Sequence, residues 1–370
     1  MTNPKKQIIF ILTSNELDGP SRVIYELSAA LRHQFIVTVY VPIIPRYKLF
    51  VLQSCKNLSW FKSLFKRAHY CFRWISIDLV FRRLKWIKAS ECKVQSKRCI
   101  FSPSRSSLNS ADYVLLNAWY QALHFPDYWE LNKAKFIVCH WHYEEYQNES
   151  IINLRDKIIN QCQSITCSRN SSNSITSKNL REPYILSMGI NQNVFHSNIP
   201  NYKMQERSID IALYRGFEKR KGFHIGLEAM QNIVDKHQLS CCIIQGSKRA
   251  KTPWDYPVHA ELSDMELAHI LRDTKIFLFP SLFEGFGMPP LEAMACGCAV
   301  VTTGVGGIPD YTQHMENAYI VEPGQVSEIE YAISFLLGDQ DAMQRMQQKA
   351  AKRAASFTWK EAALGFTTIL

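Results

Sequence analysis

A chain of 370 residues is longer than one ordinary compact domain and fits about two. Hydrophobic residues make up 46% of it and charged residues 21%, with 15 Gly and 15 Pro, which excludes a largely disordered, collagen-like or coiled-coil protein. The net charge of +10, from 43 Lys and Arg against 33 Asp and Glu, is not spread evenly.

The first apolar run, 8–12 (IIFIL), is too short for a signal-peptide core, and nowhere do about 18 apolar residues run unbroken. A secreted or membrane-spanning chain is therefore not expected. Residues 8–12, 36–41, 113–117, 136–139 and 164–167 read as buried strands of a first half. A second set comprises 209–214 (IDIALY), 241–245 (CCIIQ), 276–280 (IFLFP), 299–303 (AVVTT) and 318–321 (AYIV). Helical patterns lie between them, as in 223–235, where Phe223, Leu227, Met230, Ile233 and Val234 share a face. Short all-apolar strands alternating with helices predict an α/β chain with two doubly wound parallel sheets. The polar stretch 188–205 marks the join. The expected domains are 1–187, 188–356 and a last helix, 357–370, that crosses back to the first.

Residues 43–100 hold 14 basic residues against two acidic ones, Asp78 and Glu91, a local +12 that leaves the rest of the chain at −2. Phe61, Leu64, Phe65, Ala68, Phe72 and Ile75 recur at helical steps, and Ile77, Val80, Phe81, Leu84 and Ile87 repeat the pattern. Lys62, Lys66, Arg67 and Arg73 fall off the first stripe; Arg82, Arg83, Lys85 and Lys88 fall beside the second. Such faces suit an anionic bilayer surface, and equally an ordinary helix pair with a solvated basic side. No nucleic-acid motif accompanies the charge, so no nucleic-acid partner is expected. The 11 cysteines lie mostly in apolar runs without zinc spacing, which predicts reduced thiols in a cytoplasmic protein and no metal.

In open parallel sheets ligands bind beyond the carboxyl ends of the strands. Residues 276–303 read IFLFPSLFEGFGMPPLEAMACGCAVVTT: a strand, a loop with Gly285 and Gly287, then a helix opened by Pro289 and Pro290 and closed by Gly297. Glycines let main-chain N–H groups approach a ligand, and the helix start favours an anion such as a diphosphate. Glu284 falls in the loop and Glu292 in the first helical turn. A carboxylate accepts two hydrogen bonds at once, which suits the paired hydroxyls of a ribose or hexose, although an acid there also simply favours the helix dipole.

The unbroken string E-G-F-G-x-P-x-x-E-A-M-A-x-G closely resembles the donor-binding motif of retaining nucleotide-sugar glycosyltransferases of family 4. That resemblance implies the GT-B fold, two Rossmann-like domains facing a central cleft. Residues 301–324, 213–230 (LYRGFEKRKGFHIGLEAM), 187–195 and 357–366 are similar to further family segments, so the likeness spans about 187–366. It assigns Arg215 and Lys221 to the donor diphosphate. The loop is one residue longer than the family's, which keeps Lys219 and Arg220 as alternatives. It further implies that Glu284 holds the sugar hydroxyls and Glu292 the ribose, with Gly285, Phe286 and Gly287 against the donor.

The first half matches less well. Residues 15–21 (NELDGPS) stand where the family has a glycine-rich loop, with Gly19 the only glycine. His140, after the strand 136–139, matches a histidine facing the transferred sugar, with His142 in reserve and a buried, hydrogen-bonded role as the alternative. Ser168 falls at another family position.

The implied activity is transfer of a sugar from a nucleotide diphosphate donor to a saccharide or lipid-linked acceptor, with retention of configuration. It uses no cofactor, and cations act in place of a metal ion. Synthesis of cell-surface polysaccharide, lipopolysaccharide or glycolipid on the inner face of the cytoplasmic membrane is the expected setting. A nucleotide-sugar epimerase or disaccharide synthase on the same fold, or a non-catalytic membrane-binding protein, are the alternatives. The donor base, sugar, acceptor and linkage have no readable code.

Overall fold

The computed structural model describes residues 5–12, 19–42, 95–99, 103–124, 135–141, 149–197, 206–216, 218–234, 236–246 and 256–370. The glycine-poor loop before Gly19, the two amphipathic patterns within 43–94 and His142 lie outside them.

The chain divides into two compact units. Met1–Thr166, Ser171–Leu186 and Ala362–Leu370 form the first, and Cys167–Asn170 with Ser187–Glu361 the second. Against the expected boundaries, residues 167–170 go with the second unit, where the Arg169 backbone N–H donates to an Asp310 carboxylate oxygen at 2.9 Å. The return to the first unit begins at Ala362, within the helix Trp359–Thr367, rather than at residue 357.

The first sheet contains β1 (Gln7–Ile11), β2 (Ile36–Pro42), β3 (Gln95–Cys99), β4 (Tyr113–Leu116), β5 (Phe136–His140), β6 (Gln163–Thr166) and β7 (Tyr184–Ile185). Its order is β3-β2-β1-β4-β5-β6-β7, and all its pairings are parallel. The second contains β8 (Ile209–Arg215), β9 (Cys241–Gln245), β10 (Val258–Ala260), β11 (Thr274–Phe279), β12 (Ala299–Thr303) and β13 (Tyr319–Val321). It runs β10-β9-β8-β11-β12-β13, again parallel throughout. Both are the doubly wound order, in which the strand sequence reverses direction once, between β1 and β4 and between β8 and β11.

The central strands are apolar because helices cover both faces. Ile211, Leu213, Ile276, Leu278, Ala299 and Val301 pack against Ala229, Met230, Ile233, Ile329 and Ile333 in the second unit's core. In the first unit Ile9, Ile11, Val114, Leu116, Phe136 and Val138 pack with Leu108, Trp119 and Ile158. Strand β3, at the end of the basic segment and beyond the two helical patterns, is an edge strand. Strands β7 and β10 are likewise edges that carry no long apolar run.

Cys139, Cys162, Cys167, Cys241, Cys242, Cys296 and Cys298 are free and buried, and burial pushes Cys241 and Cys242 up to about 12, which leaves those thiols protonated and inert. Among the described residues no helix is long and apolar enough to cross a membrane.

Residues 362–370 complete the first unit. Phe366 is fully buried with its ring 6.1 Å from that of Phe10, and the Tyr113 hydroxyl donates to the Leu370 carbonyl. Phe366→Ala is expected to cost about 3–5 kcal/mol through the cavity it leaves. Urea unfolding of the whole chain reads this, and an unchanged midpoint would contradict the packing described.

Candidate functional site

The reversal between β8 and β11 places two loops side by side at the carboxyl edge of the second sheet. One follows β8 and carries the cations. The other follows β11 and carries the acids.

After Phe279 the chain leaves β11 through Pro280 and Ser281 into the loop that ends at Gly287. Glu284 is only 5% exposed. Its Oε1 accepts from the Ser281 hydroxyl at 2.7 Å and from Lys221 Nζ at 2.6 Å. The loop is held from outside as well: the Arg220 carbonyl accepts from the Leu282 N–H at 2.7 Å, and Arg220 Nη1 donates to the Phe283 carbonyl at 3.1 Å. Gly306 packs beneath it at φ 60°, where a Cβ would sit 2.1 Å from the Glu284 carbonyl oxygen. Only glycine fits that approach.

Gly287, at φ 85°, is the N-cap of the helix Met288–Ala295, and its carbonyl accepts from the Tyr311 hydroxyl at 2.6 Å. Burial, then the carboxylates of Glu284, Asp310 and Glu292, hold Tyr311 well above the usual phenol range, so it is a permanent donor. Phe286 is buried against Tyr311 and Phe357, at ring distances of 5.3 and 6.4 Å. At the far end of the same helix Arg207, 4% exposed, donates to the Cys296 carbonyl at 3.1 Å, a cation placed at the negative end of the dipole. Glu292 lies in the second turn of the helix, not the first, and is 2% exposed. An acid buried there is not a surface partner of the helix dipole.

On the other loop, Arg215 ends β8 and lies over the Phe223 ring at 5.1 Å. Lys221 closes the short 3-10 turn Lys219–Lys221, and its stem crosses Gly216, where a Cβ would meet Lys221 Cγ at 2.2 Å. Lys219 is exposed, and Arg220 pairs with Glu218 at 2.5 Å. Of the alternatives, Lys221 is therefore the lysine joined to an acid of the motif. Ser281 and Gln245 are partners that the sequence reading did not pick out. Gln245 had a signal, a polar residue closing an otherwise apolar strand, and so had Ser281, a hydroxyl three residues before an acid.

In the first unit, His140 ends β5 and is 5% exposed, with Nε2 3.3 Å from the Ser164 hydroxyl. Its carbonyl accepts from Thr166 Oγ1 at 2.8 Å. Burial, followed by the charge of Arg155, lowers its pKa to about 3, so the ring is neutral at physiological pH. Gly19 begins the helix Gly19–Leu31. Ser168 is fully buried in the second unit, with its Cβ 2.9 Å from the position a Cβ on Gly307 would take. Among the described residues no three His, Cys, Asp or Glu cluster as a metal site.

Two doubly wound sheets of this order are the architecture of GT-B glycosyltransferases. HepE from Anabaena, solved with UDP and glucose, superposes with a TM-score of 0.71 over 98% of both chains at 13% identity. Sucrose-phosphate synthase from Thermosynechococcus elongatus gives 0.69 over 98% of both at 15% identity. At that identity the likeness establishes the fold. Residues 197–353 match the family described as Glycosyl transferases group 1. The serotype-specific mannosyltransferase WbdA of Escherichia coli is 33% identical over 113 residues, which is 30% of this chain and 14% of WbdA. An MMP alpha-(1->4)-mannosyltransferase of Mycolicibacterium hassiacum is 35% identical over 104 residues, 28% of this chain and 25% of that protein. The chain thus matches a quarter or less of the length of these two relatives.

The buried histidine has a pH signature. Its folded-state pKa, about 3, lies below the ordinary 6.5, so the unfolded chain takes up the proton first. The stability it contributes is complete above about pH 6.5 and is lost as pH falls towards about 3. His140→Gln should flatten that limb of a stability-against-pH series, and an unaltered slope would contradict the burial.

Proposed function

We propose that the protein is a retaining glycosyltransferase that moves a sugar from a nucleoside diphosphate donor to a saccharide or lipid-linked acceptor. The observation that carries the reading is the arrangement of Arg215, Lys221, Glu284 and Glu292 around the strand reversal of the second sheet. Glu292 would hold the ribose hydroxyls and Glu284 the sugar hydroxyls. The main-chain N–H groups around Gly285, Phe286 and Gly287, at a helix start, would meet the diphosphate. We assign the charge that builds on the leaving diphosphate to Arg215 and Lys221 rather than to a metal ion.

In the reaction the bond between the anomeric carbon and the diphosphate oxygen breaks while the acceptor oxygen bonds to the same face of that carbon. The acceptor proton passes to the departing diphosphate. Neither glutamate becomes covalently attached to the sugar, unlike the nucleophile of a retaining glycosidase. Donor entry requires Lys221 and Glu284 to exchange each other for the diphosphate and a sugar hydroxyl. From the first unit we keep His140 as the contact to the transferred sugar, presenting a ring nitrogen without charge. Mannosyl transfer is the donor chemistry that the named relatives favour, and UDP-glucose the one that the HepE complex with that donor favours.

Calorimetric titration with UDP-, GDP- and ADP-sugars tests the donor. One class is expected to bind, and free nucleoside diphosphate to be released only when a saccharide acceptor is added, which separates transfer from epimerisation. Glu284→Ala should lower turnover by about 100-fold or more. Turnover equal to wild type would favour the non-catalytic alternative.

The basic segment 43–100 we assign to the anionic face of the cytoplasmic membrane, where a lipid-linked acceptor resides. Its local +12 supports this. Flotation with vesicles containing phosphatidylglycerol should carry the protein upward, and neutral phosphatidylcholine vesicles should not. Absence from both floated fractions at physiological salt removes the membrane assignment.

A further inference from the structure

Arg215 ends β8 and Gln245 ends β9, and the two are direct partners in the parallel ladder. In that register their side chains leave the same face of the sheet, at the carboxyl edge where open α/β sheets take ligands. Gln245 is 3% exposed, an amide terminating an otherwise apolar strand. Its Oε1 accepts from Arg215 Nη1 at 3.0 Å. The ring of Phe223, at the start of the next helix, lies against the guanidinium at 5.1 Å. The amide is directional and fixes the fork in its plane, and the ring fixes the face.

The chemistry of residue 245 matters because a guanidinium can be held by either of two oxygens. A carboxylate would bind it more tightly and cancel its charge. An amide orients it and adds no opposing charge. If the arginine served only to knit two strands together, the carboxylate would be the stronger clamp. A neutral clamp is what a cation needs if its charge is to act on something else.

We propose that Gln245 is a positioning residue for the anionic ligand of this corner: it aims Arg215 at a diphosphate through an acceptor that carries no charge of its own. The proposal rests on the reading of Arg215 as a diphosphate contact. Gln245 acts through Arg215, so its contribution must vanish when Arg215 is absent.

Titration of the full chain with UDP, GDP and ADP, together with thermal unfolding, tests this. For the nucleotide that wild type binds best, Gln245→Glu should weaken binding about tenfold or more while the melting temperature stays level or rises, because an ion pair replaces a neutral bond. A purely structural residue would not move the two readouts in opposite senses. Gln245→Ala should also weaken binding, yet add nothing in an Arg215→Ala background. Gln245→Glu protein that binds as wild type does, or Ala effects that simply add, would overturn the positioning role and leave the donor site standing. Wild-type protein that takes up none of the three nucleotides would overturn the donor site itself, and Gln245's role with it.

Discussion

Lys221 and Glu284 meet at 2.6 Å across two loops that belong to different strands, and the arrangement of the site follows from that contact. The acid is buried and the lysine mostly so, at 6% and 18% side-chain exposure. Such a pair adds little net stability, because removing both charges from water offsets most of their attraction. What it provides is position. The carboxylate is also fixed by the Ser281 hydroxyl, the loop by the Arg220 carbonyl, and the backbone underneath by a glycine that admits no side chain.

The same restraint extends outward by short steps. Tyr311 pins the Gly287 carbonyl, and its ring joins Phe286 and Phe357; Arg353 lies over Phe357 and donates to the Asp310 carbonyl at 2.9 Å. Arg207 secures the other end of the motif helix. Much of the second unit's polar interior is thus spent on one loop and one helix. The Tyr311 hydroxyl and both terminal nitrogens of Arg207 donate to backbone carbonyls, as buried polar groups usually do.

The interior strands and the loop and helix that carry Glu284 and Glu292 were legible in the sequence because each leaves a local mark, an unbroken apolar run or a fixed spacing of Gly, Pro and Glu. Three of the four sheet edges, β3, β7 and β10, left none, since an edge need not be apolar and β7 is only two residues long. Glu292 was read into the first helical turn because Pro289 and Pro290 mark a helix start without fixing its residue; the helix begins at Met288. Arg215 and Glu284 are singled out by a local motif, but their partners, Gln245 for the arginine and Ser281 for the acid, depend on strand register and loop closure, which no local pattern encodes. His140 was placed at its strand end correctly, while its burial and neutral state required the fold.

The most direct measurement is a crystal structure of the protein soaked with the nucleoside diphosphate sugar that it binds. The account predicts density for the diphosphate against Arg215 and Lys221, sugar hydroxyls on Glu284, ribose on Glu292, and the 2.6 Å Lys221–Glu284 contact opened. Nucleotide density elsewhere, with that contact intact, would contradict it.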